Sequence, residues 1–437
     1  MRRLLRELKH IPSPLPLIFI IVATIGVILY GRGYRVDIKK NTLKPTSLLS
    51  ATSDPIGAQV FINNELKTAT NNPITLDPNW YSVKIVKEGY IPWEKRLRLQ
   101  GEVVTRTDAF LFPTSPSLSP LTNSGVLHPL ISPDGTKISY TIPQSTTSTL
   151  PKKAGLWIYE LVDRPFGLNR DPKQLAISEP AFDFSTSQIT WSPDATQIMV
   201  DNGKSIRLYA LSRPNDFQDI SANAAFILKD WEEERRTKKL QTLAAFKQPV
   251  IDMATQSAQI IAFSPDETKI LYEATSSATL PPVITPALIG TNPTEEKRAL
   301  EPGKIYVYDS KEDKNFLVLD EKELPQVTEE KNPKPKTQNP KPFDLAQDRQ
   351  IQNSKEIGNS GTEVPVHWFP TSRHLVLTLP GKIDIMEYDR TNWVTVYSGP
   401  FVEGFLAPWP NASRIVVLTN LNPGVSELPN LYTVNLR

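Results

Sequence analysis

The chain has 437 residues, a formal net charge of +2, no cysteine, and 40 proline against 19 glycine residues. Without cysteine it has no disulfide bond, no thiolate zinc site and no cysteine nucleophile. The length exceeds one ordinary domain. The high proline content is typical of turn-rich β structure and of proline-rich linkers.

The first predicted element is an uncharged stretch at residues 11–30, about 20 residues, which is the length that a membrane-spanning helix needs. A cleaved signal peptide is the alternative, but Tyr30–Arg35 lacks a small-x-small cleavage pattern. We therefore predict a cytoplasmic tail at 1–10, a single-pass transmembrane anchor at 11–30, and an extracytoplasmic C-terminal part. Basic residues flank the span on both sides, so the positive-inside rule discriminates little.

The basic residues at 31–45 predict a juxtamembrane linker, which suits anionic lipid headgroups. Residues 1–45 carry nine basic and two acidic side chains, a net charge of +7, which leaves 2 − 7 = −5 for the remainder. The part of the chain beyond the linker therefore shows no charge pattern of a nucleic-acid-binding surface.

Residues 46–113 alternate between apolar and polar side chains and are punctuated by proline, asparagine and glycine turns, which predicts a small antiparallel β domain. The frame Ser53–Ile62, with Pro55-Ile56-Gly57-Ala58 at its centre, resembles the PEGA domain, and Ile56 stands where that signature has Glu. The resemblance implies a surface-associated, sandwich-like module without catalytic residues. We expect the Gly57-Ala58 pair to allow close sheet packing and not to bind a ligand.

Residues 114–437 carry a recurring strand-turn-strand unit. Proline fixes the second position of each turn, and serine and aspartate hydrogen-bond nearby backbone groups. A further strand with an aromatic residue near its end follows each turn. Three turns share one Ser-Pro-Asp sequence and two turns depart from it: Ser132-Pro133-Asp134, Ser192-Pro193-Asp194, Ser264-Pro265-Asp266, Phe369-Pro370-Thr371 and Trp409-Pro410-Asn411.

These repeated turns resemble those of TolB-like and WD-repeat-like propellers. The fold class expected for the chain is therefore mainly β: an N-terminal transmembrane helix, a PEGA-like domain, and a β-propeller of about five blades, with six as the alternative. A strand at 118–122 is expected to pair with the C-terminal strands and complete the last sheet, because closure removes a free sheet edge.

Three insertions interrupt the repeats. Residues 222–247 have helical spacing and predict a helix that docks through Leu228, Trp231, Leu240, Leu243 and Phe246. A packed decoration is the expected role of this helix, with a partner-binding element as the alternative. Residues 325–362 are rich in Pro, Lys, Asn and Gln and predict a disordered loop. Residues 275–298 predict a second irregular loop.

No catalytic, cofactor-binding or metal-binding residue is predicted. The histidines His10, His128, His367 and His374 are scattered, so we expect structural or surface roles for them. Asp134, Asp194 and Asp266 are expected to cap turns, and Trp191, Phe263 and Trp368 to pack sheets. The Asn411-Ala412-Ser413 sequon is equally explained by its turn. No Gly-x-Ser-x-Gly elbow or Gly-rich phosphate loop is present.

The leading hypothesis is a non-enzymatic extracytoplasmic scaffold, anchored in the cell membrane. Its propeller would bind a protein or cell-envelope polymer, and the PEGA-like module would act as a spacer or glycan contact. The alternative is an extracytoplasmic glycan-acting enzyme with a carboxylate pair at the propeller mouth. A sensor is a third hypothesis, which the short tail weakens. No nucleic-acid partner is expected.

Overall fold

The computed structural model describes residues 14–37, 42–144, 154–163, 171–320, 366–421, 423 and 427–437. The predicted tail at 1–10 and the predicted disordered loop at 325–362 lie outside these residues. The chain divides into two compact units. The first comprises Met1–Leu111 with Pro286–Thr294, and the second comprises Phe112–Thr285 with Glu295–Arg437.

The first unit begins with helix α1 (Pro14–Gly31), which is followed by the paired strands β1 (Tyr34–Asp37) and β2 (Thr42–Pro45). No helix in the described part of the chain is long and apolar enough to cross a membrane. The predicted transmembrane helix at 11–30 is therefore wrong.

Seven further strands of the first unit form two sheets, ordered β6-β3-β9 and β5-β4-β7-β8. Strands β3 and β9 run parallel, so the prediction of a wholly antiparallel domain is wrong for this pair. Alternate side chains of both sheets share one buried cluster, which includes Leu49, Val60 and Ala109. In chain order the strands are β3 (Ser47–Asp54), β4 (Gln59–Ile62), β5 (Glu65–Ala69), β6 (Ile74–Leu76), β7 (Asn79–Val86), β8 (Trp93–Leu99) and β9 (Val104–Phe110).

The described part of the second unit contains five four-stranded antiparallel sheets. Sheet 1 comprises β11 (Leu127–Ile131), β12 (Lys137–Ile142), β13 (Gly155–Glu160) and β14 (Lys173–Ile177), and sheet 2 comprises β15 (Gln188–Trp191), β16 (Gln197–Asp201), β17 (Ile206–Ala210) and β18 (Phe217–Asp219). A short 3-10 helix, Phe184–Thr186, precedes sheet 2.

Sheet 3 is interrupted by an excursion that contains the short pair β21 (Ala278–Thr279) and β22 (Ala299–Leu300), where the sequence predicts only an irregular loop. The strands of sheet 3 are β19 (Ala258–Phe263), β20 (Lys269–Ala274), β23 (Lys304–Asp309) and β24 (Lys314–Asp320), and those of sheet 4 are β25 (Val366–Trp368), β26 (His374–Leu379), β27 (Lys382–Glu387) and β28 (Val394–Ser398).

Sheet 5 joins an early strand to the end of the chain. Strand β10 (Leu118–Pro120) pairs with β31 (Asn430–Asn435), which confirms the predicted pairing of this segment with the C-terminal strands. The side chain of Asn430 accepts hydrogen bonds from Thr122 Oγ1 (3.1 Å) and from the Gly125 amide (3.0 Å). The sheet is completed by β29 (Leu406–Pro408) and β30 (Arg414–Thr419).

The predicted fold class of a β-propeller of about five or six blades is corrected by this topology. The five sheets are separate, and none of the described sheets closes on itself, because hydrogen bonding stops at the edge strands of each one. Contact between sheets is made by side chains. Tyr140 and Trp409 lie in one buried cluster that joins sheets 1 and 5, and Ile158 and Trp191 lie in a cluster that joins sheets 1 and 2.

The insertion between sheets 2 and 3 forms two helices, α2 (Ala224–Leu243) and α3 (Gln248–Gln256). The sequence predicts the first helix but not the second. Of the predicted docking residues, Trp231, Leu243 and Phe246 are buried, whereas Leu228 and Leu240 are 38% and 51% exposed. On the exposed side of α2, Arg236 forms an ion pair with Glu233, three residues earlier, at 3.6 Å.

Candidate binding face

The repeated turns of the second unit share one backbone geometry. In the first, the Ser132 amide donates to the Lys137 carbonyl and the Gly135 amide donates to the Ser132 carbonyl, each at 2.8 Å. The same two bonds recur in the other four turns. The fourth residue of every turn has positive φ, between 55° and 68°: Gly135, Ala195, Glu267, Ser372 and Ala412.

The aspartates of the three Ser-Pro-Asp turns bind their own turn. Asp134 accepts hydrogen bonds from the Ser132 hydroxyl and from the amide and hydroxyl of Thr136. Partial burial alone would raise the pKa of Asp134, but these bonds outweigh it and lower the pKa to about 2. The pKa of Asp194 is lowered by hydrogen bonds from Ser192 and Thr196. The geometry is that of a capped turn, and these carboxylates serve backbone structure.

In the two turns that lack the Ser-Pro-Asp sequence, other side chains form the hydrogen bonds within the turn. Thr371 Oγ1 lies 2.8 Å from His374 Nδ1, and Asn411 Oδ1 accepts a hydrogen bond from the Ser413 amide at 2.9 Å. The Asn411 amide also binds Asp163. The asparagine of the sequon is thus part of a hydrogen-bonded turn.

The predicted histidine and aromatic positions are dispersed. His374 is buried and makes edge contacts with Phe112 and Phe369, and His128 Nε2 lies 2.8 Å from the Ser185 carbonyl. His367 is exposed, and His10 lies outside the described residues. Among the described residues, no three His, Asp or Glu side chains lie close enough together to hold a metal ion.

The predicted aromatic positions Trp191, Phe263 and Trp368 belong to three different packing clusters. Trp191 and Trp368 are buried, and Phe263 is partly buried against its cluster. These side chains pack between strands and do not meet in one aromatic pocket.

A different set of side chains meets on the first unit, on the outer face of the sheet β5-β4-β7-β8. Successive side chains of a strand point to opposite faces. On β7 the buried residues Val83 and Ile85 therefore leave Trp80, Ser82 and Lys84 on the outer face. On β8 the buried residues Leu97 and Leu99 likewise leave Glu94, Arg96 and Arg98 on the outer face. We refer to these six residues as the outer face of β7 and β8.

The register places these six side chains in three cross-strand pairs: Trp80 with Arg98, Ser82 with Arg96, and Lys84 with Glu94. Directly opposed side chains of an antiparallel pair have Cβ atoms about 5 Å apart. Trp80 is 41% exposed, and the Arg96 guanidinium lies over its ring, 5.1 Å from the centroid. This is a cation–π contact diagonal to the register pairs.

The charges on this face are unevenly distributed. At one end, Glu94 faces Lys84 and accepts a hydrogen bond from the Ser82 hydroxyl at 2.9 Å. At the other end, Arg98 is opposite Trp80 in the register and the Arg96 guanidinium lies over the Trp80 ring, whereas the acid among the six residues, Glu94, is opposite Lys84. An exposed tryptophan beside two arginines can stack on a flat or ring-shaped group and can bind anions.

The domain that carries this face matches a known protein family. Residues 46–114 match the PEGA domain. The resemblance predicted for this segment is confirmed. Ile56, which replaces the Glu of the signature, is 73% exposed and therefore lies outside the buried core of the domain. Gly57 has a φ of 77° and Ala58 is fully buried, in agreement with a packing role for the pair.

Comparison with solved structures gives low similarity. A putative TolB from Agrobacterium tumefaciens is 10% identical, with a TM-score of 0.21, over 69% of this chain and 76% of that chain. A eukaryotic initiation factor is also 10% identical, with a TM-score of 0.20, over 85% of this chain and 66% of that chain. At these TM-scores neither likeness establishes a shared fold. No curated protein matches the chain.

Sequence reasoning did not identify the outer face of β7 and β8. It predicted β structure over residues 46–113, but not which residues share a face. The signal is present in the sequence, because Trp80-x-Ser82-x-Lys84 and Glu94-x-Arg96-x-Arg98 are both period-two patterns of exposed polar or aromatic side chains. The antiparallel register that brings the two patterns together is a tertiary feature.

Proposed function

We propose that this chain is a non-catalytic extracytoplasmic protein that binds a polymer of the cell envelope, with the PEGA domain as the contact. The observation that carries the proposal is the exposed Trp80 beside Arg96 and Arg98 on one sheet face. A protein that binds a polymer without catalysing a reaction needs an accessible surface with groups that can stack on the polymer and form hydrogen bonds to it. The proposal assigns no catalytic residue.

A position at the membrane surface belongs to the same proposal. Helix α1 exposes most of its large apolar side chains, among them Leu15, Phe19 and Val27, and an exposed apolar area of this kind favours contact with lipid or with another apolar surface. The backbone connects α1 closely to the PEGA domain, because the Thr46 amide donates to the Gly33 carbonyl at 3.0 Å. The polymer-binding face would thereby be held near the membrane.

The test is cosedimentation of the full-length chain with the insoluble polymer fraction of the cell envelope, in a mild detergent that covers α1. We expect the native chain to sediment with the polymer. Trp80→Ala should reduce binding on the order of tenfold, by comparison with the about 1–3 kcal/mol that an aromatic side chain contributes when a nucleic-acid base stacks on it.

Val104→Ala is the matched control, because Val104 is 51% exposed on the other sheet of the same domain. It should bind as the native chain does. Equal binding by the Trp80→Ala variant would exclude the outer face of β7 and β8 as the contact, and a native chain that stays in the supernatant would contradict the proposed function itself.

A further inference from the structure

Arg96 and Arg98 lie two residues apart on β8, which is an edge strand of its sheet. Their outward side chains are separated by about 7 Å along the strand, at about 3.3 Å per residue. Both are exposed to solvent. Because β8 has no strand on its far side within this sheet, an extended chain can lie along the arginines without being blocked by a neighbouring strand of the sheet.

The two guanidinium groups differ in how they are held. Arg96 stacks on Trp80 at 5.1 Å from the ring centroid, which restricts its position before any ligand arrives. Arg98 is opposite Trp80 in the register, two positions along the strands from the Ser82–Arg96 pair. The acid of the same strand face, Glu94, is opposite Lys84. The positive charge is therefore concentrated around the tryptophan.

We infer that the polymer bound by this face is an acidic polysaccharide, an inference that rests on the proposed function. A carboxylate of the polysaccharide would bind the guanidinium groups of Arg96 and Arg98, a pairing that is bidentate and charge-assisted. The apolar side of a neighbouring sugar ring would pack on the exposed part of Trp80. A neutral glycan would leave the two arginines without an anionic partner, and a small anion would leave the tryptophan unused.

The chosen probe is polygalacturonate, and its fully methyl-esterified form is the neutral counterpart with the same sugar backbone. Binding of the full-length chain in detergent is measured by biolayer interferometry at several salt concentrations. We expect binding to the acid form to exceed binding to the ester by on the order of tenfold or more, because hydrogen bonds to charged groups contribute about 1.5–3 kcal/mol. Added salt should weaken binding to the acid form only.

Two variants and one control test whether Arg96 and Arg98 are the residues that bind the acid form. Arg98→Gln and Arg96→Gln should each weaken binding to the acid form on the order of tenfold, and should leave the weaker binding to the ester unchanged within about twofold. Arg106→Gln is the matched control, since Arg106 is an exposed arginine on β9 of the other sheet. It should bind both forms as the native chain does. Circular dichroism of each variant establishes that it is folded.

The outcomes separate the inference from the proposed function. Binding to the envelope polymer fraction with no preference for the acid over the ester would overturn the inference and leave the proposed function standing. Tighter binding to a single-stranded oligonucleotide than to polygalacturonate would overturn the inference in favour of a nucleic acid. An equal loss of binding in Arg106→Gln would show a general charge effect and not a site. Absence of binding to every envelope polymer would overturn both.

Discussion

A single backbone conformation is shared by the fourth residue of the five repeated turns. All five have a positive φ, but only the first is glycine, at Gly135. An L-residue in the left-handed region costs roughly 1–2 kcal/mol, because its Cβ approaches a carbonyl oxygen. Four of the five turns are therefore destabilised by this conformational free energy, and the first turn is not: Ala195, Glu267, Ser372 and Ala412.

Glu267→Gly should stabilise the chain by about 0.5–1 kcal/mol. Glycine removes the cost of about 1–2 kcal/mol that an L-residue has in the left-handed conformation. This gain is larger than the destabilisation of about 0.5–1 kcal/mol that glycine causes through its greater conformational entropy in the unfolded chain. Glu267 is exposed, so its side chain contributes little packing. Urea denaturation monitored by tryptophan fluorescence measures the change.

Gly135→Ala is the converse control for this prediction. Open space surrounds the position where its Cβ would lie, so only the φ of 68° opposes the change, and we expect a loss of about 1 kcal/mol. A Glu267→Gly variant that is less stable than the native chain would contradict the account.

At the scale of the element, each Ser-Pro-Asp turn is a hairpin closed by its own carboxylate. The folded pKa of Asp134 is about 2, whereas the pKa of an unfolded aspartate is about 3.9. A depressed folded pKa contributes stability that is fully present above the unfolded pKa and is lost as pH falls through the folded pKa. The pKa values of Asp194 and Asp266 are also lowered. The contribution of Asp134 should therefore be lost as the pH falls from about 4 through 2, and the contributions of Asp194 and Asp266 should also fall as the pH is lowered.

Asp134→Asn should lower the free energy of unfolding at pH 7, and the difference from the native chain should shrink steadily as the pH falls from about 4 towards 2. The asparagine keeps an acceptor oxygen but loses the charge, and the turn at Asn411 shows that this residue fits the geometry. Urea denaturation from pH 7 to pH 2.5 measures the convergence. A difference that stays constant with pH would mean that the charge of Asp134 contributes nothing to stability.

Much of the element structure could be predicted from local patterns. The turns at Ser132, Ser192 and Ser264, the helix around Trp231 and the strands of the PEGA domain all follow from turn chemistry and periodicity, which are local. The parallel pairing of β3 with β9 and the second helix α3 could not be predicted in the same way. Strand direction in a pair depends on contacts between residues far apart in sequence, and α3 is a short segment of nine residues.

At the scale of the whole molecule, sequence reasoning was right about one long-range strand pairing and wrong about the architecture inferred from the repeated turns. Leu118–Pro120 pairs with the C-terminal strand, as an argument from unpaired edges predicts. The same repeats led to a propeller, but hydrogen bonding within a repeat says nothing about how successive sheets are arranged. The predicted span at 11–30 was also wrong, because no helix in the described part of the chain is long and apolar enough to cross a membrane.

The location of the chain is a property of the whole molecule, and the proposal places both units outside the cytoplasm. Trypsin added to intact cells should then remove a C-terminal epitope tag, because exposed basic residues such as Arg213 are accessible to the protease in the second unit. A cytoplasmic marker protein should stay intact in the same sample. Protection of the tag in intact cells, followed by digestion after lysis, would place the units inside. An envelope polymer could then not reach the outer face of β7 and β8, and the face would need an intracellular ligand.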